Sequence, residues 1–199
     1  MRRWAVFLDR DGVINEEVNY LNSPELLKLL PGAAPAIRQL NERRIPVVVI
    51  SNQAGVARGY FSEEDVLQIH AELSNLLSGA GAHVDRFYYC PHHPTEGKGP
   101  YRMDCECRKP KPGLLLRARS DMDLDLAQSY LIGDNVTDVE AGMRAGVTSI
   151  LVLTGYGESL WRSWPAPFRP HHVAHDLGEA VSWILDSAAP SIDSDAGYG

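Results

Sequence analysis

Residues 45–50 read IPVVVI, an almost unbroken β-branched run with no polar position alternating through it. A strand with one wet face alternates, whereas a run apolar on both faces belongs to a strand covered on both sides, as in parallel sheets between helices. Similar runs recur at Trp4–Leu8 (WAVFL), Val84–Tyr89, Ser129–Ile132 and Thr148–Leu153, with a short candidate at His172–Ala174. Helical stretches lie between them. Pro31-Gly32 opens one, with apolar positions Ala33, Ala36, Ile37 and Leu40. Ser62-Glu63-Glu64-Asp65 sets an N-cap serine before an acidic first turn, with Val66, Ile69, Leu73, Leu76 and Leu77 as the expected buried stripe. Further helices are predicted after Pro112-Gly113, over Thr137–Ala145 and over Leu177–Leu185. Strand–helix alternation of this kind predicts an α/β fold, a parallel sheet doubly wound by helices.

Residues 13–30 are only weakly periodic and fit a flap or short hairpin beside the first strand. Gly155–Pro170 is irregular, and its segment Trp161 to Trp164 is expected to pack over a sheet edge. Residues 187–199, small and polar, read as a disordered tail, leaving 1–186 as one domain. With 199 residues and 44% apolar composition the chain can bury one full core. A net charge of −7 argues against nucleic acid as partner, and no apolar run is long enough for a bilayer. Arg2-Arg3 precede an apolar stretch as in an export signal, but Asp9-Arg10-Asp11 interrupts it too early. Three cysteines cannot all pair internally, which suits a reduced, cytoplasmic protein.

The strand runs end in polar turns: Asp9-Arg10-Asp11-Gly12, Ser51-Asn52-Gln53-Ala54-Gly55, and Gly133-Asp134 with Asp138 beyond. Parallel strands bring such turns to one edge of the sheet, where ligands bind in open α/β folds. Along an extended chain Asp9 and Asp11 face one spot, and two converging carboxylates call for a cation between them. Lys109 arrives from the loop before the Pro112 helix. The set offers a nucleophile, an acid/base, phosphate-binding donors, a fixed cation and a metal carboxylate. Phosphoryl transfer needs such a set, since an anion must approach an anion; at ~4 Å and an effective dielectric of ~20 one such repulsion costs roughly 4 kcal/mol, about three decades of rate. Mg²⁺ together with Lys109 is the remedy these residues suggest.

Cys90-Pro91-His92-His93 and Cys105-Glu106-Cys107 form a second cluster. Two close pairs separated by a loop suit tetrahedral Zn²⁺, with either His92 or His93 as fourth ligand. Four protein ligands leave no open position, so the zinc would be structural. Arg108 and Lys109 follow Cys107 directly, so a metal clamp there would hold the loop that delivers Lys109.

DRDG at 9–12, SNQ at 51–53, RKPKPG at 108–113 and GDNVTD at 133–138 together resemble the four motifs of haloacid-dehalogenase-like phosphatases, in order and correctly spaced. The resemblance implies a Rossmann-like sheet in which Asp9 forms an aspartyl-phosphate and Asp11 is the general acid/base. It implies Mg²⁺ on the Asp9 carboxylate, the Asp11 carbonyl and Asp134, with Ser51 and Lys109 gripping the phosphoryl oxygens. YYCPHHP at 88–94 and SNQAGVARGYFS at 51–62 are similar to the zinc-bearing branch of D-glycero-D-manno-heptose 1,7-bisphosphate phosphatases and histidinol-phosphate phosphatases, more to the heptose enzymes. That likeness implies Zn²⁺ on Cys90, His92, Cys105 and Cys107, and no large cap domain beyond the flap at 13–30 and the zinc loop at 90–107. It also implies substrate contacts from Glu17, Val18, Asn19, Tyr20, Ser51, Asn52, Gln53, Ala54, Arg108 and Lys109. Arg108 is the candidate for a second phosphate, ahead of Arg58, which reads as a solvated helix-end arginine. Val13 and Asn135 depart from residues common in these relatives.

The expected activity is removal of the 7-phosphate from a heptose 1,7-bisphosphate by a monomer acting on a small phosphorylated sugar, with neither nucleic acid nor membrane as partner. Histidinol-phosphate hydrolysis, a nucleic-acid 3′-phosphatase and an idle, zinc-stabilised binding module are the rivals.

Overall fold

A computed structural model describes residues 2–188 of the chain. Six strands form one sheet: β1 (Val6–Leu8), β2 (Val47–Asn52), β3 (Arg86–Cys90), β4 (Tyr130–Gly133), β5 (Thr148–Val152) and β6 (His172–Ala174). All pair in parallel, in the order β3-β2-β1-β4-β5-β6. The helices are α1 (Ala33–Glu42), α2 (Ala54–Arg58), α3 (Glu63–Gly79), α4 (Gly113–Met122), α5 (Val136–Ala145), α6 (Gly157–Arg162) and α7 (Leu177–Ala188).

The pleat of β1 shows why the sheet is wrapped on both faces. Val6 and Leu8 point to one side, among Ile37 of α1, Ile69 and Leu73 of α3 and Val181 of α7. Phe7 points to the other, among Leu114, Leu115 and Ala118 of α4 and Ala141 of α5. Each face carries its own apolar layer, which is why the strand runs lack polar alternation.

Several boundaries differ from the sequence expectation. β2 begins after Pro46, which has no N–H to give the ladder, and continues through Ser51 and Asn52 because both pair with β3, Asn52 opposite Cys90. In α3 Leu76 is exposed and His70 takes a buried place, giving the stripe 66, 69, 70, 73, 77 at helical spacing. The ring of His70 stacks on Phe87 at 4.7 Å. The Ser62 cap is present, as a capping box with Asp65. Helices α2 and α6 arise where only turn or irregular chain was expected. Trp161 and Trp164 pack edge to face on each other, and Arg169 lies over Trp161. α7 runs to Ala188, so the expected tail from 187 begins inside a helix; its part at 189–199 lies outside the described residues. No described helix is long and apolar enough to cross a membrane.

The strands are in register, Leu8 beside both Val49 and Ile132, so the chain ends of β1, β2 and β4 open at one edge. β1 is the point where strand order turns, with β2 on one side and β4 on the other, which leaves a crevice above it. The segment 13–30 folds over this crevice: Glu16 N–H donates to the Lys28 carbonyl and Leu30 N–H to that of Ile14. Val13, Ile14, Leu21 and Leu27 anchor it in the core.

Candidate active site

A pocket of about 280 Å³ lies at this edge, lined by Asp9, Asp11, Ser51, Lys109 and Asp134, with flap residues Glu17, Asn19 and Tyr20 on its rim. Asn52, Gln53, Ala54 and Arg108 also line it, so all but one of the expected substrate contacts meet here. The exception is Val18, which is 40% exposed and outside the lining. Asn19, in the left-handed region at φ 66°, turns the flap so that neighbouring side chains reach opposite walls. Its carboxamide accepts from the Tyr156 hydroxyl, while Tyr20 meets Arg58 across the mouth.

Lys109 is the electrostatic centre. Its side chain is 2% exposed, and its ammonium lies 2.9 Å from Asp9 Oδ1, 2.6 Å from Asp138 Oδ1 and 3.0 Å from the Ile50 carbonyl. Burial alone would lower its pKa, but Asp138 and Asp9 outweigh that and hold the ammonium charged. Carboxylate oxygens of Asp9, Asp134 and Asp138 all lie within 4.8 Å of one another. Asp138 is already committed, since it also accepts at 3.1 Å from the N–H of Asn135, the N-cap of α5, as its capping-box partner. Burial, with Asp138 next, pushes Asp9 up to about 7; burial, with Asp9 next, pushes Asp134 up to about 8. Two buried carboxylates that resist ionising beside a single ammonium suit a divalent cation, and Asp9 and Asp134 are the pair that would hold it.

Asp134 owes its place to two glycines. A Cβ on Gly12 (φ 78°) would come within 2.2 Å of Asp134 Oδ2, and one on Gly155 (φ 54°) within 2.1 Å. The same oxygen accepts from Tyr156 N–H at 2.9 Å, and Thr154 Oγ1 donates to the Gly12 carbonyl at 2.6 Å. The sequence offered no sign that 154–156 supports this carboxylate.

The Asp11 carboxylate lines the same pocket as Asp9 but takes its hydrogen bonds from other partners. β1 ends at Leu8, so the two-residue period lapses before Asp11, which lies in the turn at Gly12. Arg10, fully buried, grips Asp11 with Nε at 3.1 Å and Nη2 at 2.8 Å; Asn15 and Gln53 donate at 2.9 and 3.1 Å. Burial would raise its pKa, yet these donors, Arg10 foremost, hold it below the usual carboxylate range. The sequence pattern assigns Arg10 and Asn15 no such task. Gln53 bridges the site, donating also to Ser51 Oγ at 2.6 Å.

Arg58 is not a freely solvated arginine. It lines the pocket, pairs with Glu96 of the zinc loop at 2.5 Å and lies over the Tyr20 ring.

Beside the pocket, Cys90, His92, Cys105 and Cys107 present four donors within reach of one ion. The sulfurs stand 3.1–3.4 Å apart, and His92 Nδ1 is 3.4 Å from Cys107 Sγ. His93 turns away, accepting from Glu96 N–H at 2.9 Å. Hydrogen bonds from the neighbouring thiols, Cys90 first, bring Cys107 down to about 5. Three thiols and an imidazole closing on one point fit structural zinc. Arg108 leaves this cluster with Nη1 on the His92 carbonyl at 3.2 Å.

Residues 106–180 match the model of HAD-hydrolase-like proteins. The chain is 43% identical over 195 residues to the D-glycero-D-manno-heptose-1,7-bisphosphate 7-phosphatase of Thermosynechococcus vestitus, covering 96% of this chain and 100% of the relative. It is 36% identical over 186 residues to the D-glycero-β-D-manno-heptose-1,7-bisphosphate 7-phosphatase of Escherichia coli K12, covering 93% and 90%. The solved structure of D,D-heptose 1,7-bisphosphate phosphatase from B. bronchiseptica, complexed with magnesium and phosphate, superposes with a TM-score of 0.83 at 34% identity, over 93% of this chain and 99% of that one. By fold, motif order and these relatives, the chain belongs to the haloacid-dehalogenase-like hydrolases, in the family of the heptose-1,7-bisphosphate 7-phosphatases.

Proposed function

We propose that this protein is a Mg²⁺-dependent phosphatase that removes the 7-phosphate of D-glycero-D-manno-heptose 1,7-bisphosphate. The observation that carries this is the buried Asp9–Lys109–Asp134 cluster at the floor of a small pocket, in a chain whose relatives bear that activity in their names. Asp9 Oδ attacks phosphorus and displaces the sugar oxygen, which takes a proton from Asp11. Water then gives a proton to Asp11 and attacks the aspartyl-phosphate, releasing phosphate and restoring Asp9. For the first step Asp11 must be protonated and turned from Arg10 toward the leaving oxygen.

Asp9, Asp134 and the Asp11 main-chain carbonyl would hold Mg²⁺, which supplies charge neutralisation at the phosphoryl group. Lys109 and the Ser51 hydroxyl bind the phosphoryl oxygens. Arg108 takes the distal phosphate, and Glu17, Asn19, Tyr20, Gln53 and Ala54 enclose the sugar. Cys90, His92, Cys105 and Cys107 would hold Zn²⁺, which would keep the segment bearing Arg108 and Lys109 in place. The protein works as a monomer, in the cytoplasm, where reducing conditions keep the three thiols available to metal.

Turnover of heptose 1,7-bisphosphate and of histidinol phosphate by the purified Mg²⁺-supplemented protein tests this. The heptose substrate is expected to win in kcat/KM by at least about tenfold, a difference of ~1.4 kcal/mol. Equal or better activity on histidinol phosphate refutes the substrate. Activity that survives Asp9→Asn refutes the nucleophile.

A further inference from the structure

Asn52 was expected to contact substrate, yet its carboxamide is engaged on both sides by a single residue of the chain. Its Oδ1 accepts from Lys109 N–H at 3.0 Å and its Nδ2 donates to the Lys109 carbonyl at 3.0 Å. The pair of bonds imitates one rung of a β-ladder, with a side chain standing in for a strand residue. The lysine tip returns to the same strand, where Nζ donates to the Ile50 carbonyl at 3.0 Å. β2 therefore grips Lys109 at its backbone and at its ammonium, and β2 is in turn registered on β1, Val49 beside Leu8. Lys109 itself lies 57 residues away in sequence and outside the sheet, so its hold on β2 comes from these side-chain bonds and not from strand pairing.

We propose that Asn52 is a positioning residue that fixes the Lys109 ammonium relative to Asp9, rather than a ligand of the sugar. This rests on the catalytic role proposed for Lys109. An asparagine suits the task because a donating NH₂ and an accepting oxygen sit side by side on a short, planar group. Aspartate would set a carboxylate against the Lys109 carbonyl, and serine would not span both bonds. The zinc cluster holds the other end of the same segment through Cys107 and the contact of Arg108 with the His92 carbonyl. Lys109 thus hangs between two anchors, one a metal cluster and one a single carboxamide.

The test uses Asn52→Ala and Asn52→Asp in metal-loaded protein, with p-nitrophenyl phosphate, which carries no sugar, beside heptose 1,7-bisphosphate. A misplaced catalytic group costs about 10–100-fold whatever the leaving group, so kcat is expected to fall by that factor on both substrates. Hydrogen exchange of the Lys109 amide is expected to quicken at least about tenfold in Asn52→Ala, the protection of one lost hydrogen bond, with the Ile50 amide unchanged. Asn52→Asp keeps the acceptor and loses the donor; slow Lys109 exchange with reduced kcat on p-nitrophenyl phosphate is expected, and supplies the test if the alanine variant does not fold. A loss confined to the sugar substrate in either variant, or an unchanged Lys109 amide in Asn52→Ala, overturns the proposal. If heptose 1,7-bisphosphate is not the substrate, the wild type fails on it alone, while the p-nitrophenyl phosphate and exchange measurements still decide the role of Asn52.

Discussion

Magnesium affinity should depend steeply on pH, and in a direction that the buried carboxylates dictate. Asp9 and Asp134 rise to about 7 and about 8 because both are buried in one acidic cluster. A cation there requires both ionised. Because the two carboxyls titrate as one coupled cluster, the doubly ionised form that binds a cation becomes at least about tenfold scarcer between about pH 8 and about pH 6. What Asp9 and Asp134 contribute to the stability of the metal-free protein must move the other way. From the ordinary carboxylate range near ~4 up to ~8, these two groups keep protons in the folded chain that they have lost in the unfolded one. The contribution of these two carboxyls is therefore greatest at the acid end of that window and falls as pH rises through it, while saturating Mg²⁺ flattens it. Calorimetric titration of Mg²⁺ near pH 6, 7 and 8 at constant ionic strength, with thermal melts with and without metal, measures both effects. An affinity constant across this range, or one that rises on acidification, would refute the assignment of Asp9 and Asp134 as the metal pair.

Two further perturbations separate the supports of the site. Cys105→Ser should lose bound zinc and with it ~3 kcal/mol of metal-linked stability, a fall in Tm of roughly 6–12 °C for a chain of this size; zinc content by atomic emission together with a melt reads it, and full activity and an unchanged Tm in zinc-free protein would remove the clamp from the account. Gly155→Ala should weaken Mg²⁺ binding at least about tenfold, ~1.4 kcal/mol, because the new Cβ lands 2.1 Å from Asp134 Oδ2. Gly59→Ala is the control, since Gly59 is also left-handed at φ 74° but has nothing within 4 Å of its Cβ position; equal Mg²⁺ affinity in the two variants would show that Asp134 is not crowded.

The amino-acid sequence by itself determined the parallel sheet, because runs such as VVVI at 47–50 are apolar on both faces and can be stable only under helices on each side. It also determined that the turns bearing Asp9, Ser51 and Asp134 share an edge, since parallel strands leave no other place for them. The pairing of Cys90 and His92 with Cys105 and Cys107 was legible from spacing, and the choice of His92 over His93 from resemblance. Only the tertiary structure decided how each donor was assigned. Asp11 is held by Arg10, Asn52 holds the backbone of Lys109, Arg58 bridges Tyr20 and Glu96, and Tyr156 N–H supports Asp134. Periodicity reports which face of an element is buried, a property of neighbours along the chain. Which hydrogen-bond donor meets which acceptor depends on segments 22, 38 or 57 residues apart that meet only once the sheet has formed.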